Sequence, residues 1–450
     1  MSLRRPITPL MFAAALFAAE PAIPPLVPAP AQEAPAHAPA KDLSLAIAID
    51  LALKRNETPK IAAARISNAE ASLARAHAAL LPQLTVGGSI GTTSVDQFPR
   101  GGKANETTAW SATASLGLLK ASAWSNEVAA KYSLQAQQLD SREMRRVLTY
   151  MVSDVYLTVL ASERQVIAAE RRLEVARASV ADAKARLQAG ISTRTDVTRA
   201  ELGEAQSQLS LTQAKRAVIA SREALSNLVV LDYAGVLVTP PDTAIPGRDF
   251  DTLVVLAHAY RSDLRALKFR EDAAHHATRA ARARYVPDVT ASAEVGSTTT
   301  TNPMGRSTNG QTDYTLALTA TWTLYDGGDR EGAIDEAVSS HYESTLNYTA
   351  ELRALTRNMK TAIADLNTAE DSLLQAEARN RLARANAEEV RARYKQGLAT
   401  ALEDADAISG QFDAESGFVS ASLDLERSRL EIRKLVGYWP QSDRAPDQQP

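Results

Sequence analysis

In the stretch Leu81-Pro82-Gln83-Leu84-Thr85-Val86-Gly87-Gly88-Ser89-Ile90-Gly91, a helical apolar period stops at the proline and a period of two replaces it. Leu84, Val86, Gly88 and Ile90 alternate with Thr85, Gly87, Ser89 and Gly91. The junction returns 205 residues on (287 − 82) as Val286-Pro287-Asp288-Val289, after which Val289, Ala291, Ala293 and Val295 oppose Thr290, Ser292, Glu294 and Gly296. A second landmark, Leu187-Gln188-Ala189-Gly190-Ile191-Ser192-Thr193, returns 207 residues on (397 − 190) as Tyr394-Lys395-Gln396-Gly397-Leu398-Ala399-Thr400. Two landmarks at nearly one offset make the chain a tandem duplication. The expected organisation is repeat 1 at 43–228, a connector at 229–250 broken by Pro240, Pro241 and Pro246, repeat 2 at 251–438, and a polar tail at 439–450.

Each repeat carries a second alternating segment. Trp110, Ala112, Ala114, Leu116 and Leu118 oppose Ser111, Thr113, Ser115 and Gly117, while Leu316, Leu318, Ala320, Trp322 and Leu324 oppose Thr315, Thr319, Thr321 and Thr323. Strands are thus predicted at about 84–93, 107–118, 288–298 and 313–325, with one apolar face and one small, hydroxylated face. A sheet seated on a soluble core shows the same period. Segment length favours a bilayer, since each run approaches the 9 to 11 residues a tilted strand needs to cross one. The flanks agree: long polar loops (94–106 and 299–312) join the pairs, and Trp110, Tyr285, Tyr314, Trp322 and Tyr325 fall toward segment ends, where membrane-interface aromatics sit. Four strands cannot close a barrel in lipid, so the chain must oligomerise. Three copies would give 12 strands and a lumen; two or four copies also satisfy closure.

The N-terminus fits export. Arg4 and Arg5 precede an apolar stretch, Leu10 to Ala19, and Ala29-Pro30-Ala31 offers a cleavage site, so 1–31 is predicted to be a signal peptide followed by a Pro/Ala-rich leader at 32–42. Zero cysteines removes disulfides, thiolate metal sites and a lipoprotein anchor together. With 50 basic against 53 acidic side chains, no basic field is available to hold nucleic acid. Past the leader, no stretch approaches the 18 or so apolar residues of a spanning helix, so any crossing must be made by strands.

The remainder reads as long helix, rich in Ala, Leu, Glu, Arg, Lys and Gln and poor in Pro and Gly over 123–189 and 330–396. At 1.5 Å per residue such a helix is roughly 100 Å long. Its packing seam follows a 3-4 spacing: Val166, Ala169, Leu173, Ala176, Val180, Ala183, Leu187. In repeat 2 the seam is Leu373, Ala376, Asn380, Ala383, Ala387, Val390, Tyr394, apolar at every position but Asn380. That spacing indicates coiled-coil packing and by itself names no function. Each long helix ends at a hairpin tip, where Gly190 or Gly397 can adopt the left-handed conformation and Thr193-x-x-Asp196 or Thr400-x-x-Glu403 opens the next helix as a capping box.

A duplicated helix-Pro-strand-loop-strand-helix plan, with Tyr394-x-x-Gly397-Leu398-x-Thr400 followed by Glu403-Asp404-Ala405-Asp406-Ala407, resembles the TolC-like outer-membrane efflux and secretion channels over about 43–435. The resemblance implies a homotrimer: a 12-strand barrel in outer-membrane lipid, continued by a helical tunnel through the periplasm. The implied partners are a periplasmic adaptor (membrane fusion protein) and an inner-membrane transporter of RND or ABC type. The implied docking surface is the pair of tips, Gly190, Ile191, Ser192 and Thr193 with Gly397, Leu398, Ala399 and Thr400. By position from Gly397, the resemblance also implies a gate at the periplasmic end, with an acidic ring at Glu403 and Asp406, Asp196 at the first-repeat acidic position, and a bracing tyrosine at Tyr394. Two departures stand out. Ala399 replaces a basic brace found in related channels, and Lys120-Ala121-Ser122 replaces the strand-exit Asp326-Gly327-Gly328 of repeat 2.

Simpler roles compete at these positions. Glu403 and Asp196 are accounted for as capping carboxylates, and Tyr394 as a seam residue equivalent to Leu187; Asp406 lies beyond the cap and has no such local role. Glu294, alone on its Thr/Ser/Gly face, is expected in a wet lumen. No enzyme and no cofactor is expected: polar residues spread along helical surfaces, no Walker-type loop appears, and adjacent His275 and His276 lack the i, i+4 spacing that ligates zinc. The alternative to a conduit is a soluble periplasmic coiled-coil scaffold or adaptor, which would need neither aromatic girdles nor barrel closure.

Overall fold

The computed structural model describes residues 42–94, 104–232, 235–301, 306–308 and 310–440. The predicted signal peptide at 1–31, the leader except Asp42, residues 441–450 of the tail and the middle of both strand-joining loops lie outside the described residues. Within them each repeat runs helix, helix, strand, strand, helix, helix. Repeat 1 holds α1 (Leu45–Arg55), α2 (Glu57–Ala78), β1 (Gln83–Ser94), β2 (Ala104–Leu119), α3 (Ala121–Gln188) and α4 (Arg194–Val229). Repeat 2 holds α5 (Phe250–Tyr260), α6 (Ser262–Ala283), β3 (Asp288–Thr301), β4 (Thr312–Thr321), α7 (Asp329–Lys395) and α8 (Ala401–Val436).

Local chemistry places these boundaries. Ser44 accepts from the Ile47 N–H at 3.4 Å to start α1, and Asn56, which ends it, accepts from the Thr58 N–H at 2.9 Å to start α2. The same Asn56 side chain donates to Leu228 O at 3.0 Å, tying the α1–α2 corner to the end of α4. Pro82 and Pro287 stand immediately before β1 and β3, where a proline cannot continue the helical ladder. At 68 and 67 residues, α3 and α7 are each roughly 100 Å long.

The helices form two rows. Toward the sheet, the neighbours are α2, α3, α6 and α7 in that order; toward the tips, α4, α3, α8 and α7. Each repeat has its own core at the level where the rows meet: Leu148, Val152, Tyr156, Leu225 and Val229 with α1, and Leu253, Leu355, Met359, Leu366 and Ile432 with α5. A belt of backbone-directed polar groups closes this level. The Tyr156 hydroxyl donates between Leu43 O at 2.7 Å and Val238 O at 2.6 Å, Tyr150 donates to Tyr438 O at 2.8 Å, and Arg433 donates to Ala244 O at 2.6 Å. The α3 seam is buried from Ala169 to Ala183, whereas in α7 only Ala387 and Tyr394 of the corresponding positions are buried. The reason is that among the described residues α7 has α6 and α8 as its main neighbours, with the short α5 against it only at the level of the core.

The four strands form one antiparallel sheet in the order β1-β2-β3-β4, so the two hairpins meet along β2 and β3. The register sorts side chains cleanly by face. Val86, Ala112, Val295 and Tyr314 share one row of the apolar face, and Thr85, Thr113, Glu294 and Thr315 share one row of the other. The strand predicted at 313–325 is shorter: β4 ends at Thr321. The Arg330 side chain intervenes, donating to Thr323 O at 2.7 Å and Leu324 O at 3.1 Å, while its Nε meets Asp326 at 2.7 Å. Gly327 and Gly328, at φ +72 and +95, then turn the chain into α7. Repeat 1 has no such turn, and α3 starts directly after Lys120.

Arg330 is 5% exposed, and removing it leaves two carbonyls and a carboxylate without their donor. Arg330→Met is expected to destabilise the sheet-to-helix junction by about 2 kcal/mol, read as a lower thermal midpoint of the detergent-solubilised protein; Ser122→Ala, at the strand exit of repeat 1, is expected to change it little.

Candidate functional site

The two faces of the sheet differ in what they can touch. Leu84, Val86, Ile90, Leu316 and Leu318 project from the apolar face at 64% to 86% exposure, and none of the described residues covers them. Contiguous apolar surface of this extent is unsuited to water. The predicted interface aromatics fall at two levels of the sheet. Trp110 and Tyr314 lie level with about the middle of β1 and β3, paired with Gly88 and Val295. Tyr285, Trp322 and Tyr325 lie at the helix end, where the Trp322 indole N–H donates to Tyr285 O at 3.1 Å and Arg330 stands 4.6 Å over the Tyr285 ring. Tyr314 and Trp322 are eight positions apart, about 26 Å of extended chain, or about 20 Å of height at the tilt of a barrel strand. The opposite face offers hydroxyls, glycine and Glu294, the lining of a wet passage.

At the far end the two tips share one design. Gly190 and Gly397 sit at φ +75 and +80, and the Ile191 and Leu398 N–H groups reach back to Arg186 O at 3.0 Å and Arg393 O at 2.9 Å, closing each helix. The next helix opens on a complete capping box. Asp196 accepts from the Thr193 N–H at 3.0 Å, and Glu403 from the Thr400 N–H at 2.6 Å, each threonine returning the bond. Those threonine bonds hold both carboxyls below their ordinary values. A depressed folded value means that the cap contributes above the ordinary carboxylate range and is lost as pH falls through the depressed one. Ile191 and Leu398, at 71% and 73% exposure, leave an apolar point on each tip, beside Ser192 and Ala399.

The predicted gate residues are brought to one end of the molecule but not into one contact. Glu403 is exposed and engaged as a cap, Asp196 is likewise engaged in the other hairpin, and Asp406 is exposed one turn on. Tyr394 is buried at 6% exposure, with the Arg186 guanidinium 4.3 Å over its ring and donating to its carbonyl. A basic group from α3 therefore faces the tyrosine whose own hairpin carries Ala399. Arg186 gave no local signal in the sequence, because its partner lies 208 residues away. Asp404 was also missed as a site residue. It is buried against α3, where Ser179 donates to it at 3.1 Å, and it lines a crevice of about 260 Å³ with Tyr394, Asp406, Arg172 and Arg199. Its signal was legible: counting the α8 seam back from Leu425 through Ala421, Ala414 and Ala407, in steps of four, seven, seven and then three, lands on Asp404.

The rings of adjacent His275 and His276 stand edge to face at 5.7 Å, and each has a further aromatic partner. His276 stacks on Tyr132 at 5.3 Å, and His275 lies 5.4 Å from the His341 ring. Among the described residues, no group of three or more His, Cys, Asp or Glu side chains is arranged to hold a metal ion, and no helix is long and apolar enough to cross a membrane.

Loss of the second cap is expected to fray α8 at its start. Thr400→Ala should speed tryptic cleavage after exposed Lys395 about fivefold, the equivalent of ~1 kcal/mol, with Thr400→Ser and Thr193→Ala unchanged at that bond; the band pattern of a timed digest reads it.

Comparison with known proteins agrees with this architecture. The model of the outer membrane efflux protein family matches residues 48–229 and 253–438, one match per repeat. The outer membrane protein TolC of Vibrio cholerae is 22% identical over 373 residues, covering 81% of this chain and 84% of that one. Among solved structures, the CmeC outer membrane channel of Campylobacter jejuni superposes with a TM-score of 0.79 at 17% identity, covering 90% of this chain and 88% of that one. VceC of Vibrio cholerae superposes at 0.76 and 19% identity over 88% of this chain and 97% of its own. The open state of the Neisseria gonorrhoeae MtrE channel superposes at 0.74 and 19% over 88% and 91%. Both repeats being covered, the chain belongs to the outer membrane efflux protein family, as a non-enzymatic channel protein of the outer membrane with a periplasmic helical extension.

Proposed function

We propose that three copies of the chain close into one conduit, with a 12-strand barrel in the outer membrane and a helical tunnel reaching through the periplasm. One observation carries this reading: the sheet and both helical rows are open on the same two flanks. Among the described residues β1 and β4 each have one strand partner, and α7 has α6 and α8 as its main neighbours, with α5 against it only at the level of the core. Repeating the chain about an axis supplies β1 to β4 and α2 or α4 to α7, which satisfies strand edges and helix seam at once. Three copies suit the sheet best, since eight strands leave an interior filled by side chains, and twelve leave room for a wet Thr/Ser/Gly face. Trp110 and Tyr314 would sit at one membrane interface, and Tyr285, Trp322 and Tyr325 at the other.

The conduit would serve a tripartite efflux or type I secretion system. Its tips, Gly190 to Thr193 and Gly397 to Thr400, would meet a periplasmic adaptor through exposed Ile191 and Leu398, below which an RND- or ABC-type transporter of the inner membrane supplies the energy. Glu403 and Asp406 would ring the periplasmic end, Asp196 would line it from the first hairpin, and Tyr394, held by Arg186, would brace it. A soluble scaffold would leave the bare apolar face of the sheet unexplained.

Planar-bilayer recording of the purified protein tests the gate. The Glu403→Ala, Asp406→Ala double variant is expected to conduct more and to lose preference for cations; currents identical to wild type would remove the acidic ring.

A further inference from the structure

Between Glu403 and Asp406 lies a carboxylate that faces inward. Asp404 is 3% exposed, in line with Ala407, Ala414 and Ala421 on the buried seam of α8. Its counterpart in repeat 1 (404 − 207) is Val197, also buried and apolar. Packing at this place therefore requires no acid. Burying a charge without full compensation is costly, and the surroundings of Asp404 compensate it poorly. Ser179 on α3 donates to one oxygen at 3.1 Å; the other oxygen is buried with no hydrogen-bond partner.

The groups around it do not supply a counter-charge at contact. From α3 come Ser179, the like-charged Asp182 and, along the crevice, Arg172; from α4 comes Arg199; from α7 come Tyr394, Arg391 and Lys395. Arg391 and Lys395 act on Asp404 only through longer-range attraction. Burial outweighs the Ser179 bond and both cations, and holds the carboxyl above the ordinary aspartate value of 3.8.

We propose that Asp404 is a proton-operated latch of the tip: neutral, it lets α8 seat against α3, and ionised, it drives the start of α8 off that seat toward water. The functional side of this inference rests on the tip being the gate. Protonation favours the seated state, and that preference is lost as pH rises through the raised seated value. Each unit separating the seated and released values changes the ratio of the two states about tenfold.

The chain has no native cysteine, so a single reporter thiol can be placed without background. Ala407→Cys puts it on the buried seam one turn from Asp404. Thiol labelling of the full-length, detergent-solubilised protein is timed from about pH 4 to about pH 8, with and without Asp404→Asn; the ratio of the two rates cancels the thiol's own titration. The ratio is expected to rise about tenfold with pH, to stay flat when Asp404→Val copies repeat 1, and to go on rising to higher pH in Ser179→Ala, which loses the Ser179 bond to the ionised form. A ratio that does not change with pH, or a rise that persists in Asp404→Val, overturns the latch. Conductance separates this from the gate reading. A positive labelling result in channels whose currents ignore both pH and the Glu403→Ala, Asp406→Ala substitutions leaves the latch standing and removes the gate it was thought to serve; currents that lose their pH dependence in Asp404→Asn alone support both.

Discussion

The structure depends on the unpaired edges of its sheet. In lipid a strand edge finds no water to bond its N–H and C=O groups, so a four-stranded sheet with β1 and β4 free cannot exist there alone. Among the described residues α7, a helix of roughly 100 Å, likewise has α6 and α8 as its main neighbours, with the short α5 against it only at the level of the core. Both deficits are corrected by one operation, the addition of identical neighbours around an axis. Fold, oligomer and passage are thus one solution: the closure that satisfies the edges also encloses the hydroxylated face and presents the apolar face outward.

The duplication gives the two halves nearly equal parts, with helices of 11, 22 and 36 residues in each repeat. Differences between the halves concentrate where the chain changes material or direction. At the strand exit, repeat 2 uses Asp326, Gly327, Gly328 and Arg330, whereas repeat 1 passes straight from Lys120 into α3. At the tip, Leu187 and Val197 of repeat 1 become Tyr394 and Asp404, and only the second pair brings polar groups into the seam. Repeat 1 reads as the scaffold of the pair and repeat 2 as the half that carries adjustable chemistry. Sheet and helix seams tolerate the asymmetry because each repeat keeps its own apolar core.

Most of the fold was legible because it rests on periodicity. Alternation at Leu84, Val86, Gly88 and Ile90, the 3-4 spacing from Ala169 to Ala183, and the Gly and Thr signals of the tips are local and survive inspection one segment at a time. The end of β4 was not legible, since Thr321, Trp322 and Thr323 continue the alternation and only a side chain arriving from α7 stops the ladder. At the tip, the capping roles of Glu403 and Asp196 could be read from spacing, while the contact of Arg186 with Tyr394 required two long helices to be laid side by side. Asp404 lies between these cases: its seam position follows from counting, but the lack of a partner for one of its oxygens is a property of packing alone.

The most direct test of closure is the mass of the protein extracted in mild detergent from the outer-membrane fraction of cells expressing the full-length chain. The account expects a species of three copies of the mature chain, with monomer appearing only on denaturation. A monomer or dimer recovered from the soluble periplasmic fraction would contradict it, because the edges of β1 and β4 would then be facing water.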